Sequence, residues 1–326
     1  MHFQKRPQMS AKRPLKLFNL ALATLFVGIL LFGCDKPWRF PFRVYPAPEE
    51  PADSLPAQAP IIIPKIVTDY DGNVYDGVQI GELIWMKQNL RVTHYADGTP
   101  IPNGMEMVPE NANWAWYEDH ELVHNSDSTA YYYANPDADT SEYGLLYNWT
   151  AAVRGVKRVT YGEEIQGTCP DGWHVPSDEE WTAMERYVSH YKGFYCGGDS
   201  TYIAKALAAK TGWKSKDNHK EPPAEQSYLL DWKRKREEEQ EKFSDAFFPH
   251  SDPDKNNATG FSALPAGLFV DGVSGFGEEA NFWTSTISYD CYVWYRYING
   301  GSPVVFRSYN TKDYGFSVRC VRPIKQ

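Results

Sequence analysis

Apolar residues are spaced differently in successive stretches of this chain, and each spacing predicts a different element. Val74, Val78, Ile80, Ile84 and Met86 recur at even intervals, the period of a half-buried strand. With Asp71-Gly72 and Asp76-Gly77 as tight-turn dipeptides, they predict a β-meander ending near Leu90. Residues 106–139 are polar and aromatic without periodicity and read as a long irregular loop. Residues 143–153 are almost continuously apolar and read as core. Ser177 followed by Glu180 forms a capping box, and Trp181, Met184 and Val188 then fall on one helical face. A second helix is predicted over residues 201–210, with Ile203, Ala206 and Leu207 inward and Gly212 just beyond its end. Residues 217–254 are highly charged, and Lys233–Arg236 precede Glu237–Glu239 at helical i, i+4 spacing, a solvated helical insertion. Residues 292–298 and 304–309 flank Asn299-Gly300-Gly301-Ser302, a hairpin signature. A final strand is predicted over 316–322.

The amino terminus follows another logic. Lys5, Arg6, Lys12, Arg13 and Lys16 come without any acidic residue, and an apolar run over residues 17–32 ends in Leu31-Phe32-Gly33-Cys34. Basic, apolar and small residues in that order predict a secretory signal over 1–33. The run is interrupted by Asn19 and falls short of the ~20 residues a spanning helix needs. A cysteine directly after Leu-x-Gly resembles the lipobox of bacterial lipoproteins, which implies cleavage before Cys34 and a diacylglycerol on its thiol. Prolines 37, 41, 46, 48, 51, 56, 60 and 64 then punctuate residues 34–64. Each fixes φ and removes a donor, so this stretch predicts an extended tether reaching roughly 90 Å. The folded body is expected over 65–326. The expected place of work is the bacterial cell envelope, at the outer membrane or cell surface rather than the inner membrane, with the membrane as partner through the lipid.

Charge narrows the function classes. The chain carries −9 and its first 33 residues +5, which leaves −14 on the mature protein. Phosphate binding needs a basic face, so nucleic acid is excluded as a partner. Acidity favours cations, and Asp69-x-Asp71-Gly72-Asn73 has the look of a calcium loop. Position 80, which should close such a loop with a carboxylate, is Ile80. Turn chemistry explains the string instead. Besides Cys34 there are Cys169, Cys196, Cys291 and Cys320. An even number in an exported chain suggests two disulfides, and zinc-ligand spacing is missing. No metal or cofactor is expected.

Several strings, in order, resemble the Fibrobacter succinogenes major paralogous domain family. They begin with Asp71-Gly72-Asn73-x-Tyr75, Ile80-Gly81, Trp85-Met86 and Asn89-Leu90, and pass through Tyr143-Gly144-x-Leu146-Tyr147-Asn148-Trp149. They continue as Cys169-Pro170-x-Gly172-Trp173-His174-Val175-Pro176-Ser177-x-x-Glu180-Trp181 and Gly260-Phe261-Ser262-Ala263-Leu264-Pro265. Phe282-Trp283-Thr284-Ser285 and Gly315-Phe316-Ser317-Val318-Arg319-Cys320 complete the series. A more distant likeness is to the C-type-lectin-like fold, including formylglycine-generating enzymes. The resemblance implies an α+β fold, with two helices packed on small antiparallel sheets, long loops and paired chain ends. It also implies a Cys169–Cys320 bridge, leaving Cys196 with Cys291.

Catalysis finds little support. Asn299-Gly300-Gly301-Ser302-Pro303 stands where a formylglycine-generating enzyme has Arg-Gly-Gly-Ser-Trp, and no reactive cysteine pair accompanies it. Glycoside hydrolysis needs two carboxylates at a set separation, but Glu179, Glu180 and Glu185 sit where a helix start already explains them. His174 beside Trp173 lacks a neighbouring nucleophile and reads as packed. No phosphate-cradling glycine loop or nucleophile elbow occurs. The expectation is a non-enzymatic binding or display module for polysaccharide or a surface protein, with Trp294, Tyr295, Tyr297 and Tyr309 as stacking candidates. Strand alternation puts Tyr295 and Tyr297 on one face and Trp294 on the other. The calcium-dependent sugar signatures of C-type lectins are missing. A structural scaffold without a small ligand is the alternative.

Overall fold

A computed structural model describes residues 59–107, 129–157, 159, 162–191, 193–214, 256–270, 272–289 and 292–324. The signal segment, Cys34, most of the tether, the charged insertion and Cys291 lie outside them. The described residues belong to one unit, Pro37–Gln326.

The meander opens the fold. Strands β1 (Ile61–Thr68), β2 (Val74–Ile80) and β3 (Leu83–Met86) pair antiparallel in sequence. The chain's last strand, β11 (Val321–Pro323), adds beside β3. Strand β1 starts at Ile61, ahead of the boundary expected at 65, and carries Pro64. Proline is tolerated there because β1 is an edge strand and its register slips between Ile63 and Val67. Asp71-Gly72 does turn the chain, with Gly72 at φ 82°. Asp76-Gly77 does not; it lies inside β2. A Cβ on Gly77 would meet the Ile84 and Ile66 side chains, so glycine serves close packing there. The turn from β2 to β3 falls instead at Gly81, φ 63°.

Short elements follow. A 3-10 turn (Gly104–Met107), β4 (Tyr132–Tyr133), α1 (Thr140–Tyr143), β5 (Leu146–Tyr147) and α2 (Trp149–Ala152) break up what the sequence shows as a loop and an apolar run. Asn148 divides the run by capping α2, its side chain accepting from Ala151 N–H. Buried Tyr147, Trp149 and Ala151–Val153 confirm the run as core.

Helix α3 (Asp178–His190) has the expected capping box, with Ser177 Oγ accepting from Glu180 N–H at 3.1 Å and Glu180 accepting from Ser177 N–H at 2.7 Å. Its Trp181, Met184 and Val188 are buried. Trp181 meets Trp85, Phe261 and Phe282 at ring-centroid distances of 4.8, 5.7 and 5.4 Å. The second predicted helix shrinks to one turn, α4 (Ala204–Leu207). Its continuation is taken by Ala208, which bridges Ala263, and by Ala209, whose N–H donates to the Ala263 carbonyl. The two-helix expectation thus becomes one long helix and three single turns among the described residues.

Strands β6 (Leu268–Phe269) and β7 (Val273–Ser274) make a small ribbon. Strands β8 (Glu279–Tyr289), β9 (Tyr292–Asn299) and β10 (Val305–Thr311) form a three-stranded sheet in the order β10-β9-β8. The predicted final strand is broken because it crosses between sheets: Phe316 bridges Tyr147, Ser317 bridges Phe282, and only Val321–Pro323 runs beside β3. Cys320 in that crossing is disulfide-bonded to Cys169, with Cα atoms 5.8 Å apart. Both sulfurs are in the core cluster around Trp149, Trp283 and Phe316. Cys196 is buried, while its expected partner Cys291 is outside the described residues.

Candidate functional site

The β9–β10 hairpin holds all four stacking candidates and separates them two by two. Tyr309 pairs with Trp294 and Arg307 with Arg296 across the ladder, so these four share a face. Tyr295 pairs with Ser308 and Tyr297 with Phe306 on the opposite face. Tyr295 packs on the core, 4.6 Å from Phe316 and 6.2 Å from Trp283 between ring centroids. Tyr297 stacks on Phe306 at 4.5 Å. On the first face Tyr309 is 47% exposed and stands edge-on to Trp294 at 5.5 Å and to Tyr292 at 5.5 Å. Trp294 and Tyr292 are half-buried.

Charge fixes this face to α3. The Arg307 guanidinium lies 3.4 Å from the Trp294 ring centroid, a cation–π stack. It donates from Nε and Nη2 to both oxygens of Asp178, at 2.9, 3.1 and 2.8 Å. Fully buried Arg296 donates to Asp178 Oδ1 at 2.6 Å, to Thr182 Oγ1 at 3.0 Å and to Glu185. Burial pushes the Asp178 carboxyl up, but its bonds to Arg307 and Arg296 outweigh this and hold it below the usual range. Burial dominates at Glu185 and raises its pKa despite Arg296. The sequence reading missed Arg307, Arg296, Asp178 and Tyr292 here. Their signal was partial: period two sets Tyr292 and Arg296 beside Trp294 and Arg307 beside Tyr309, but Ile298 pairs with Val305 across a six-residue connection, so the Asn299–Ser302 turn does not fix the register that brings Trp294 opposite Tyr309.

Other candidates are engaged by protein groups. Buried His174 meets Glu180 Oε1 through Nε2 at 2.8 Å. Burial pushes Glu180 up, but its bonds to His174 and Ser177 hold it below its ordinary value. Asp69 accepts from Asn73 N–H and Nδ2 and from the Tyr75 hydroxyl, while Asp71 accepts from the Thr93 amide and hydroxyl and contacts His94 Nδ1 at 2.7 Å. Both carboxylates of the calcium-like string are therefore engaged by protein groups. Among the described residues no group of three His, Cys, Asp or Glu is gathered as metal ligands. A pocket of about 30 Å³ between Pro60, Ile61, Gln79, Tyr187, Phe194 and Thr259 has room for little more than water.

The recurrent strings quoted above converge on one buried cation instead. Arg319 donates to Asn89 Oδ1 at 2.7 Å, to the Met86 carbonyl at 3.3 Å, to the Ser262 carbonyl at 2.7 Å and to the Phe261 carbonyl. Asn89 in turn donates to the Tyr143 carbonyl at 2.8 Å. Burial lowers the Arg319 pKa to about 9, which still leaves it charged at neutral pH. Four separate blocks of sequence are thereby pinned at one guanidinium. The signature describes a frame.

Fold and site together define a disulfide-closed α+β module whose recurring residues hold the scaffold, and whose solvent-facing chemistry is an aromatic and arginine patch on a hairpin. The chain belongs to the Fibrobacter succinogenes major domain family, which it matches over residues 78–322. No curated protein and no solved structure matches it. Among the described residues no helix is long and apolar enough to cross a membrane.

Proposed function

We propose that this is an envelope lipoprotein, lipidated at Cys34 and raised on a proline tether, whose domain binds polysaccharide without catalysis through the Trp294–Tyr309 face of the β9–β10 hairpin. The observation that carries this reading is the exposure of Tyr309, 47%, beside a Trp294 stacked against Arg307. A fixed aromatic surface costs little ordering entropy when a flat apolar face stacks on it. The packing of one long helix on small antiparallel sheets, with first and last strands in one sheet, supports a C-type-lectin-like arrangement. The acidic mature chain supports an exported protein and disfavours nucleic acid.

A glycan array probed with the full-length protein in detergent tests the reading. Hits lost on Tyr309→Ala support it, and silence across plant and microbial polysaccharides turns it down. The second reading, a display scaffold without a small ligand, draws on the signature residues being structural, and silence on the array favours it. Anchoring is tested separately: labelled palmitate should enter the wild type and not Cys34→Ala, and an unlabelled, uncut wild type refutes the lipid.

A further inference from the structure

We infer that the hairpin face selects uncharged glycans over acidic ones, an inference that rests on the binding reading above and adds the chemical class of ligand. The cation stacked on Trp294 at this face is Arg307, whose side chain is 44% exposed. Its Nε and Nη2 already serve a carboxylate of the protein. Three contacts of 2.8–3.1 Å bind it to both oxygens of Asp178. Arg296 beneath it is fully buried and divided between Asp178 and Glu185. Two guanidinium groups thus face two carboxylates.

An acidic sugar approaching Tyr309 would meet Asp178 within a few ångströms of the guanidinium it needs. Like-charge repulsion there offsets the attraction of Arg307. Taking Arg307 from Asp178 would leave that mostly buried carboxylate with Arg296 at Oδ1 and cost Oδ2 both of its bonds to Arg307, which is unfavourable. The acidic chain adds repulsion at longer range, −14 on the mature protein. What the face offers is ring surface: exposed Tyr309, half-buried Trp294 and Tyr292 each 5.5 Å from it, and the hydroxyls of the two tyrosines. Such a surface suits the C–H face of a neutral pyranose chain, whose hydroxyls stay in water. Asp178 becomes a specificity-determining residue without touching the sugar.

Full-length protein in detergent is titrated calorimetrically with two probes of equal length, a neutral β-glucan hexasaccharide and hexagalacturonate, at about 20 mM and about 500 mM NaCl. The neutral chain should bind at least about tenfold tighter, with an affinity that changes less than about twofold with salt. Tighter binding of the galacturonate, or neutral binding that falls steeply with salt, overturns the inference and leaves glycan binding standing. Binding of neither probe, together with a silent array, removes the underlying reading and the inference with it. Tyr309→Ala, at an exposed position, should abolish the neutral signal; unchanged binding places the site elsewhere and overturns the assignment. Asp178→Asn should release Arg307 and raise galacturonate affinity about tenfold, and a folded variant without that gain counts against the inference. The wild-type comparison decides the matter if this variant does not fold.

Discussion

Replacing Arg296 by methionine tests the charge network directly. The side chain is fully buried, so its loss removes donors from groups that water cannot easily serve. Asp178 keeps Arg307, but Glu185 loses the guanidinium and Thr182 a donor. Breaking one side of a buried ion pair costs roughly 3–5 kcal/mol. Glu185 has an escape, because its side chain is 22% exposed and burial already raises its pKa. It can take up a proton, which places the expected cost near the lower end, about 3 kcal/mol at neutral pH. For a domain of this size that lowers Tm by about 6–12 °C. The sign with pH is fixed. In the folded variant Glu185 holds its proton more tightly than in the unfolded chain, so falling pH favours the folded form. The cost should therefore shrink as pH falls toward the unfolded glutamate value of about 4.3. Denaturant unfolding of the full-length protein followed by tryptophan fluorescence reads both effects. Arg296→Met with Glu185→Leu should recover more than half the loss, since an apolar pair replaces an orphaned charge. A single-variant cost below about 1 kcal/mol, or a double variant no better than the single, refutes the reasoning.

Removing the disulfide by Cys169→Ala with Cys320→Ala frees a loop of 151 residues, and chain entropy sets the expected loss at about 5 kcal/mol. Equal denaturation midpoints with and without the bond contradict that. Ser177→Ala takes one half of the capping box and should cost about 1 kcal/mol, measured by thermal unfolding. Asp178 and Glu180 both have lowered folded-state values, so the stability they supply is present above the unfolded carboxylate range and disappears as pH falls through the folded values. Acid unfolding should steepen below about pH 4, and Asp178→Asn should flatten that limb; an unchanged acid limb counts against the network. Gly167→Ala, at φ 55° with its new Cβ driven into the Ala152 carbonyl, should destabilise the fold, and a Tm equal to wild type rejects that geometry.

Local chemistry made some of this legible. The capping box and the i, i+3, i+7 apolar face define α3 without help from distant residues. The hairpin is legible from Asn299–Ser302, but its register is not, because Ile298 pairs with Val305 beyond that turn. Where distant packing decides, the sequence is mute. Asp71-Gly72 and Asp76-Gly77 are the same dipeptide, yet only the first turns, because Ile84 and Ile66 press on Gly77. Residues 204–207 have the composition to continue as a helix, but Ala263 offers Ala208 and Ala209 a strand-like partner. In the candidate site, alternation sorted Trp294 from Tyr295 and Tyr297. It could not say which aromatic face was core, since both look alike, and it gave no sign that Arg296 is buried beneath α3 while Tyr309, on that same face, is open.

The place of β11 beside β3 has a bearing on biosynthesis. Residues 83–86 are made early and wait unpaired on one side until residues 321–323 arrive. Arg319 and Cys320, which tie the same segment to Asn89 and Cys169, arrive with them. A nascent chain that has emerged as far as β10 still lacks its closing strand, its buried cation and its covalent clasp, so it cannot mature by halves. Such late closure keeps the polypeptide open for most of its synthesis, and exposes prematurely terminated products to proteases.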